Sequence, residues 1–467
     1  MPETARWIET SARVQRFAPR PWRCQGDSHA SAHGPRLAVL RQQPGLIGLL
    51  LLVWWSVLLG EYLVPHTADL TLSAAATEEG SLFNTLLVTA FALLGACCLT
   101  KGLPALRSRP LRIVLVLLSI YLAWALVSVT WSVDPALTLR RQVQLCLVVI
   151  ASFGLGVGYY GSSAEGPLRL VKHVVVAGVV AIVILWASLL ASGNVDLLNP
   201  TWAAKDLGAG TRIGYPIAFS MIAALHLFQH RRLASRTLLL VLIAGLVSLF
   251  AQKVRFIFAF TVLVLVIQHL SATRWTWQRV AAYASVLALV GWSLGMLVAL
   301  QGIEPLRPLT DTASSYATLD SSDTTLESLT GRTPLWAELM RYVAERPWTG
   351  YGFGAFWNPE YMFAIWAVIP WHPPVGHDGY LDETLATGAT GLVLFLGVWL
   401  TGLLVAWRRR FSQQVVFGEV VGCWMLFFLL ANVGDTIMQA YFQFPFYAAL
   451  VGLFALAARP DGLRARE

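Results

Sequence analysis

The chain has 467 residues, of which 56% are hydrophobic and only 13% are charged, with a net charge of +8. Soluble globular proteins average about 45–50% apolar and about 25% charged residues, so this composition excludes a soluble globular protein. It predicts a polytopic membrane protein. We assign the positive charge to membrane topology and to contact with anionic lipids, and we expect no nucleic-acid partner.

Residues 1–40 are polar and rich in arginine. No short apolar stretch with a cleavage site precedes the first long apolar run, so this segment is interpreted as a basic cytoplasmic tail and not as a signal peptide. Of the five cysteines, Cys24 lies in this tail and the others lie in apolar runs. The cysteines therefore predict neither a disulfide framework nor a cysteine-type metal site.

Apolar runs of a length near the roughly 20 residues that cross a bilayer as a helix follow in regular succession. They predict an all-α integral membrane protein with about twelve transmembrane helices. The runs cover about 46–63, 82–100, 113–130, 142–160, 173–191, 214–229, 237–251, 256–270, 280–301, 387–407, 416–432 and 440–457.

The distribution of positive residues predicts the orientation. With the N-terminus inside, 24 of the 34 Lys and Arg residues fall on cytoplasmic segments, as the positive-inside rule requires. Both termini are therefore predicted to be cytoplasmic. The expected organisation places helices 1–9 in 41–301, a large periplasmic loop with amphipathic helices in 302–386, helices 10–12 in 387–458 and a cytoplasmic end in 459–467.

Two basic residues lie in the short break AQKVRF, where two helices turn over at the predicted outer surface. They are Lys253 and Arg255. An arginine within the apolar region costs roughly 2.5–3.5 kcal/mol on insertion scales, so its presence favours phosphate binding. The alternative is a snorkelling pair that anchors the turn.

Arg332 lies in TGRTPLW, within the long outer loop. Thr333 as N-cap and Pro334 at the first helical position predict a helix start, and an apolar stripe predicts that this helix lies along the membrane surface. Arg332 would then stand beside free backbone N–H groups, which favour an anion. An ion pair with Glu327 or Glu338 is the alternative.

Three further arginines fall at predicted outer helix ends. Arg212 in RIGYP is interpreted as facing a ligand, because Gly and Pro follow it and let a backbone approach closely. Arg140 and Arg141 follow the segment WSVDP. They are weaker candidates, since an ion pair with Asp134 or a headgroup anchor explains them equally well.

His377 precedes the tenth predicted helix. A histidine with an ordinary pKa of about 6.5 can be neutral and accept a proton from a hydroxyl, and Asp378, Asp382 and Glu383 are candidates to orient it. An anion at 378 is expected to raise the pKa of this histidine. The alternative is a plain interfacial side chain, as we expect for His372.

These segments together resemble the O-antigen ligase family, which is related to O-antigen polymerases and O-oligosaccharyltransferases. His377, Gly388 and Gly391 match the family's histidine and glycine spacing, while Asp378 replaces the usual amide or hydroxyl. AQKVR, TGRTPLW and PWTGYGFG are similar to the family's arginine-bearing turn and loop elements, and Asp435 stands where the family often has a carboxylate.

The resemblance implies an inverting, metal-independent glycosyltransferase of the Gram-negative inner membrane, with no cofactor and an active site that faces the periplasm. Its partners would be undecaprenyl-pyrophosphate-linked O-antigen, lipid A-core and membrane lipids. Arg255 and Arg332 would bind the pyrophosphate and His377 would be the general base. Further donor-binding candidates are Lys253, Arg212, Arg140 and Arg141, with Asp378, Gly388, Gly391 and Asp435 in supporting roles.

Two alternatives remain open from the sequence. An O-antigen polymerase would use the same donor, and a lipid-linked glycan transporter would bind it without chemistry. If transfer is correct, Arg255, Arg332 and His377 should line one outward-facing cavity that opens sideways to lipid.

Overall fold

The computed structural model describes most of the chain after the first predicted span, and within this part it contains helices and turns but no strand. The described residues are 82–191, 210–252, 254–272, 332–410, 417–438 and 443–459. The predicted tail and the predicted spans at 46–63 and 280–301 lie outside them. Each of the other ten predicted spans coincides with a helix.

We number the helices of the described residues in chain order. They are α1 Leu82–Gly102, α2 Arg109–Val127, α3 Pro135–Phe153, α4 Gly166–Ala191, α5 Gly210–Gln229, α6 Ser235–Ala251, α7 Arg255–Ala272, α8 Arg332–Glu345, α9 Pro359–Trp366, α10 Gly379–Arg410, α11 Phe417–Ala431 and α12 Phe444–Ala457. A π-helical segment, Gly154–Tyr160, continues α3.

Within the described part of the chain, four helical segments are long and apolar enough to cross a membrane: Arg109–Thr130, Pro135–Tyr160, Gly166–Leu190 and Gly379–Arg409. Shorter apolar helices accompany them, α6, α11 and α12 among them. Large apolar side chains are exposed on the outside of the bundle, for example Leu240 and Val393 at 69% and 67%. Apolar faces of this kind suit contact with lipid chains, so the chain is an all-α membrane protein.

The centre of the bundle is formed by α5, α11 and α12. Every residue of α12 is buried, as is the stretch 213–227 of α5. The Phe219 and Trp424 rings stack at 5.8 Å, and the Trp424 indole N–H donates to the Phe219 carbonyl oxygen at 3.2 Å. Around this centre α5 packs against α4, α6 and α7, which fixes where the two ends of α5 lie.

Helices α8 and α9 belong to the predicted outer loop and have a small core of their own. Leu335 and Leu339 of α8 pack there with Tyr351 and with Leu385 of α10. The predicted apolar stripe of α8 also includes Met340, which is 54% exposed. The core ties the loop to the start of α10.

Helix α10 begins at Gly379, so the predicted loop 302–386 ends inside a helix. The helix is kinked at Gly388, where φ is 71° and ψ is 178°. The N–H groups of Tyr351 and Gly352 donate to the carbonyl oxygens of Leu385 and Ala386 at 2.8 and 3.0 Å. The kink therefore lets the segment PWTGYGFG hydrogen-bond to the helix backbone, which supplies the physical reason for glycine at 388.

Replacing Gly388 with Ala should destabilise the protein by at least about 2 kcal/mol, since the backbone conformation at 388 is one that essentially only glycine adopts. An added Cβ would also lie 2.2 Å from the carbonyl carbon and oxygen of Trp348. Thermal unfolding of the purified protein in detergent measures the loss. Gly397→Ala is the matched control on the same helix, since a Cβ there meets nothing within 4 Å; equal unfolding temperatures would contradict the prediction.

Candidate functional site

Five chain segments that the sequence assigns to the outer face come together at one end of the bundle. They are the start of α5, the start of α7, the start of α8, the residues before α10 and the turn after α11. Each contributes a side chain to one cluster, namely Arg212, Tyr215, Phe256, Arg332, His377 and Asp435.

Arg332 is held at two points. Its guanidinium donates to the Gly434 carbonyl oxygen at 2.7 Å and lies over the Phe256 ring, 5.1 Å from the ring centre. The same ring packs against Gly434, where an added Cβ would lie 2.5 Å from it. These contacts orient the arginine, and cation–π geometry stabilises it.

The start of α8 differs from the prediction. Arg332 is the first residue of the helix and not the residue before it, so Thr333 and Pro334 lie inside the first turn. The expected alternative, pairing of Arg332 with Glu338, is not observed: Glu338 accepts instead from Arg341 at 3.0 Å. Glu327 lies outside the described residues.

The backbone at His377 is left-handed, with φ of 52°, a conformation that is uncommon for residues other than glycine. Hydrogen bonds fix the chain on both sides of it. The Trp336 indole donates to the Gly376 carbonyl at 2.9 Å, and the Gly379 N–H donates to the Asn432 carbonyl at 2.8 Å. This clamped, strained turn aims the imidazole, because backbone strain persists only where the surroundings enforce it.

The electrostatic surroundings of His377 favour the neutral imidazole. Burial, and then the positive charge of Arg332, lower the pKa of His377 to about 4, while the Asp435 carboxylate acts in the opposite direction. The Trp371 ring lies 5.5 Å from the imidazole, centre to centre. At neutral pH the side chain is therefore uncharged and can accept a proton.

Asp378 does not act on His377 as expected. Its carboxylate accepts from the Leu381 N–H at 2.9 Å and thereby caps the start of α10. Burial raises the pKa of Asp378, and it is not among the groups that shift the pKa of His377. Asn, Ser and Asp are all good N-caps, so the replacement at this position preserves a structural role.

The neighbouring acids form hydrogen bonds with groups other than the His377 side chain. Asp382 accepts from the Gly376 N–H at 3.1 Å and from the Trp357 indole at 2.8 Å. Glu383 accepts from the Tyr121 hydroxyl at 3.0 Å. Asp382 supports the turn through Gly376, and the carboxylate that acts electrostatically on His377 is that of Asp435.

Asp435 connects the turn after α11 to α5. Its carboxylate accepts a hydrogen bond from the Tyr215 hydroxyl and interacts electrostatically with Arg212. Arg212 and Tyr215 are three residues apart and therefore share one face of α5. The donor-binding candidate Arg212 and the supporting candidate Asp435 thus belong to the same cluster as Arg332 and His377.

The remaining predicted residues are placed differently. Arg141 donates to the Gly354 carbonyl at 2.5 Å and so holds the outer loop to α3, while Asp134 caps α3 through the Leu137 N–H. The residue next to them, Arg140, is half-buried on α3. These contacts favour a structural role for Arg141.

The basic turn between α6 and α7 is described only in part. Lys253 lies outside the described residues, and the structure describes Arg255 only by its backbone, which begins α7. Its neighbour Phe256 contacts Arg332. Arg332 lies near enough to His377 to lower its pKa, whereas the predicted shared cavity and the position of the Arg255 side chain stay predictions.

The two motif glycines lie at the α10 kink. Gly391 packs against Thr387 and Trp124, where a Cβ would lie 2.0 and 3.2 Å away from their side chains. The Trp124 indole donates to the Thr387 carbonyl at 2.9 Å. Gly388 and Gly391 therefore shape the support of the loop rather than touch His377.

The sequence did not point to Tyr215 and Phe256 as members of the cluster. Tyr215 carries a usable signal, since it follows Arg212 at helical spacing, whereas Phe256 is one of many aromatic residues in apolar runs. A group at the opposite end of the bundle was also not predicted, namely His226, His230 and Glu419. The i, i+4 spacing of the two histidines is the signal that points to it.

Part of this chain is similar in sequence to known proteins. Residues 238–396 match the family model described as O-antigen ligase. A stretch of 104 residues is 25% identical to an O-antigen ligase of Pseudomonas aeruginosa, over 22% of this chain and 24% of that protein. The matched stretch thus spans about a quarter of that relative. The region that matches the family model includes α8, His377 and the kinked start of α10. Over residues 238–396 this membrane protein is therefore similar to the O-antigen ligase family.

Proposed function

We propose that this protein is an inverting O-antigen ligase. It would transfer O-antigen polysaccharide from undecaprenyl pyrophosphate to a sugar hydroxyl of lipid A-core at the periplasmic face of the inner membrane. One observation carries the proposal: within the O-antigen ligase region, a fixed arginine and a neutral histidine converge on one cluster. A cation for the leaving phosphate and a base for the attacking hydroxyl are what such a displacement needs.

The reaction we propose is a single displacement. The acceptor hydroxyl oxygen attacks the anomeric carbon of the donor while the bond from that carbon to the pyrophosphate oxygen breaks. His377 takes the hydroxyl proton, and the Asp435 carboxylate stabilises the imidazolium that forms. Arg332, with Arg212 and Arg255, stabilises the negative charge that develops on the pyrophosphate.

Donor binding would also strengthen the base. In the free protein the charge of Arg332 lowers the pKa of His377. A pyrophosphate bound at Arg332 neutralises that charge, so the pKa of His377 rises towards its ordinary value. The histidine then becomes an effective base when the donor is present.

The pH dependence tests this coupling. Neutral His377 is the active form, so rates should rise with pH through its pKa. For the donor, kcat/KM reports the free enzyme and kcat reports the substrate complex. We expect the acid limb of kcat/KM near the value of about 4 and that of kcat at a higher pH. Coincident acid limbs would contradict the coupling.

The product of a reconstituted reaction tests the function itself. The purified protein in liposomes receives a polyprenyl-pyrophosphate glycan and lipid A-core. We expect glycan on lipid A-core. Longer carrier-linked glycan would indicate a polymerase instead, and donor binding without transfer would indicate a transporter.

A further inference from the structure

A second cluster of polar side chains lies at the end of the bundle opposite to the arginine and histidine site. It joins the C-terminal end of α5 to the N-terminal end of α11. His226 and His230 come from α5 and the turn after it, and Glu419 comes from α11. The sequence assigns these ends to the cytoplasmic side. This cluster plays no part in the proposed transfer, since Arg212 and His226 on α5 are about 21 Å apart at the rise of an α-helix.

In each histidine of this cluster, one ring nitrogen is buried without a hydrogen-bond partner. The His226 side chain is 5% exposed, and neither its Nδ1 nor the His230 Nε2 has a hydrogen-bond partner. These atoms lie 4.0 and 3.8 Å from the same oxygen, Oε2 of Glu419. Both distances are too long for hydrogen bonds. Buried polar atoms without a hydrogen-bond partner are rare in proteins and often indicate a bound ion or water.

The spacing of the three groups suits a metal ion. Their ligand atoms all lie within 4.8 Å of one another. With metal–nitrogen and metal–oxygen bonds of about 2.0–2.2 Å, the ligands of a tetrahedral ion stand about 3.4 Å apart, so small rotations of these side chains reach that geometry. His230 is 34% exposed, which leaves access for the ion and for a water as the fourth ligand.

The surroundings also orient the carboxylate. The Ser271 hydroxyl of α7 donates to Oε1 of Glu419 at 2.8 Å, which leaves Oε2 directed at the histidines. Hydrogen bonds of this type to a ligating carboxylate are the usual support of metal ligands. Two imidazoles and one carboxylate favour a borderline divalent ion such as Zn²⁺ over Mg²⁺ or Ca²⁺, which prefer oxygen ligands.

We propose that His226, His230 and Glu419 bind a divalent transition-metal ion of the Zn²⁺ class. The ion holds α5 and α11 together directly and α7 through Ser271. The opposite ends of these three helices carry Arg212, Phe256 and the turn with Asp435. The ion therefore has a structural role, in which it fixes the spacing of the helices that build the transfer site.

Zinc binding by the full-length protein in detergent tests the proposal. The protein is purified without a polyhistidine tag, and bound Zn²⁺ is measured by equilibrium dialysis and elemental analysis. We compare wild type with His230→Ala and Glu419→Gln. Loss of a ligand should weaken binding by more than about 100-fold, because even residues that only support a ligand change affinity by about 10–100-fold.

His269→Ala is the matched control, since it removes a histidine of α7 two residues from Ser271 and outside the cluster. We expect this variant to bind Zn²⁺ like wild type. Thermal unfolding with Zn²⁺ or Mg²⁺ is a second measurement. Zn²⁺ should raise the unfolding temperature of wild type and of the control, but not that of either cluster variant. Mg²⁺ should raise none of them. Equal Zn²⁺ binding by all four proteins, or none by wild type, would overturn the proposal.

Discussion

Replacing His377 with Asn is expected to lower kcat of glycan transfer by about 10²- to 10⁴-fold, the usual contribution of a positioned general base. Asn tolerates the left-handed backbone better than most residues, so the strained turn, with its φ of 52°, is preserved. An amide cannot take the hydroxyl proton. Donor binding, which depends on the arginines, should stay close to that of wild type. Reconstituted transfer and a separate donor-binding assay measure the two effects.

His372 provides a closely matched control. Its φ is also 52°, and its ring lies 5.3 Å from that of Trp366, much as His377 lies beside Trp371. It is exposed. His372→Asn should therefore transfer glycan at the wild-type rate. A similar loss in both variants would show that the strained loop, and not a base at 377, limits the reaction.

Replacing Arg332 with Ala should have the second large effect. A charged donor that stabilises a developing anion contributes about 10²- to 10³-fold to kcat. The variant should also bind the pyrophosphate donor more weakly. Arg332→Lys should restore only part of the activity, because a lysine lacks the planar, multidentate hydrogen bonding of arginine. Transfer rates and donor affinity are measured in the same reconstituted system.

Arg341→Ala is the control on the same helix. This arginine is 77% exposed and pairs with Glu338 three residues away, so its removal changes the net charge of α8 equally without reaching the cluster. Its transfer rate should match that of wild type. If Arg341→Ala loses as much activity as Arg332→Ala, the effect is one of general surface charge.

The fold was largely predictable because the apolar runs are long and polar breaks separate them. Ten predicted spans coincide with helices, and the break AQKVRF corresponds to the turn between α6 and α7. The start of α10 was misplaced by eight residues. Its first two turns contain Thr, Asp and Glu, and these polar residues do not continue the apolar run that predicts the span. The cap at Asp378 and the small loop core stabilise this part of the helix.

The sequence predicted those site residues that lie in short local motifs. The sequence indicated Arg332 and His377, and the structure brings them into one cluster. It did not indicate the tertiary partners, since the Tyr215 hydrogen bond to Asp435 joins residues 220 positions apart. The sequence also did not indicate the cap that Asp378 forms, because its hydrogen bond from the Leu381 N–H depends on the folded turn.

The most direct test of a single transfer site is the rate of the double variant His377→Asn with Arg332→Ala, measured against both single variants in single-turnover transfer. Residues that act as a unit on one transition state are strongly non-additive. We predict that the double variant is scarcely slower than the slower single variant. Losses that multiply would show that the two residues act independently, and would contradict one site built from Arg332, His377 and Asp435.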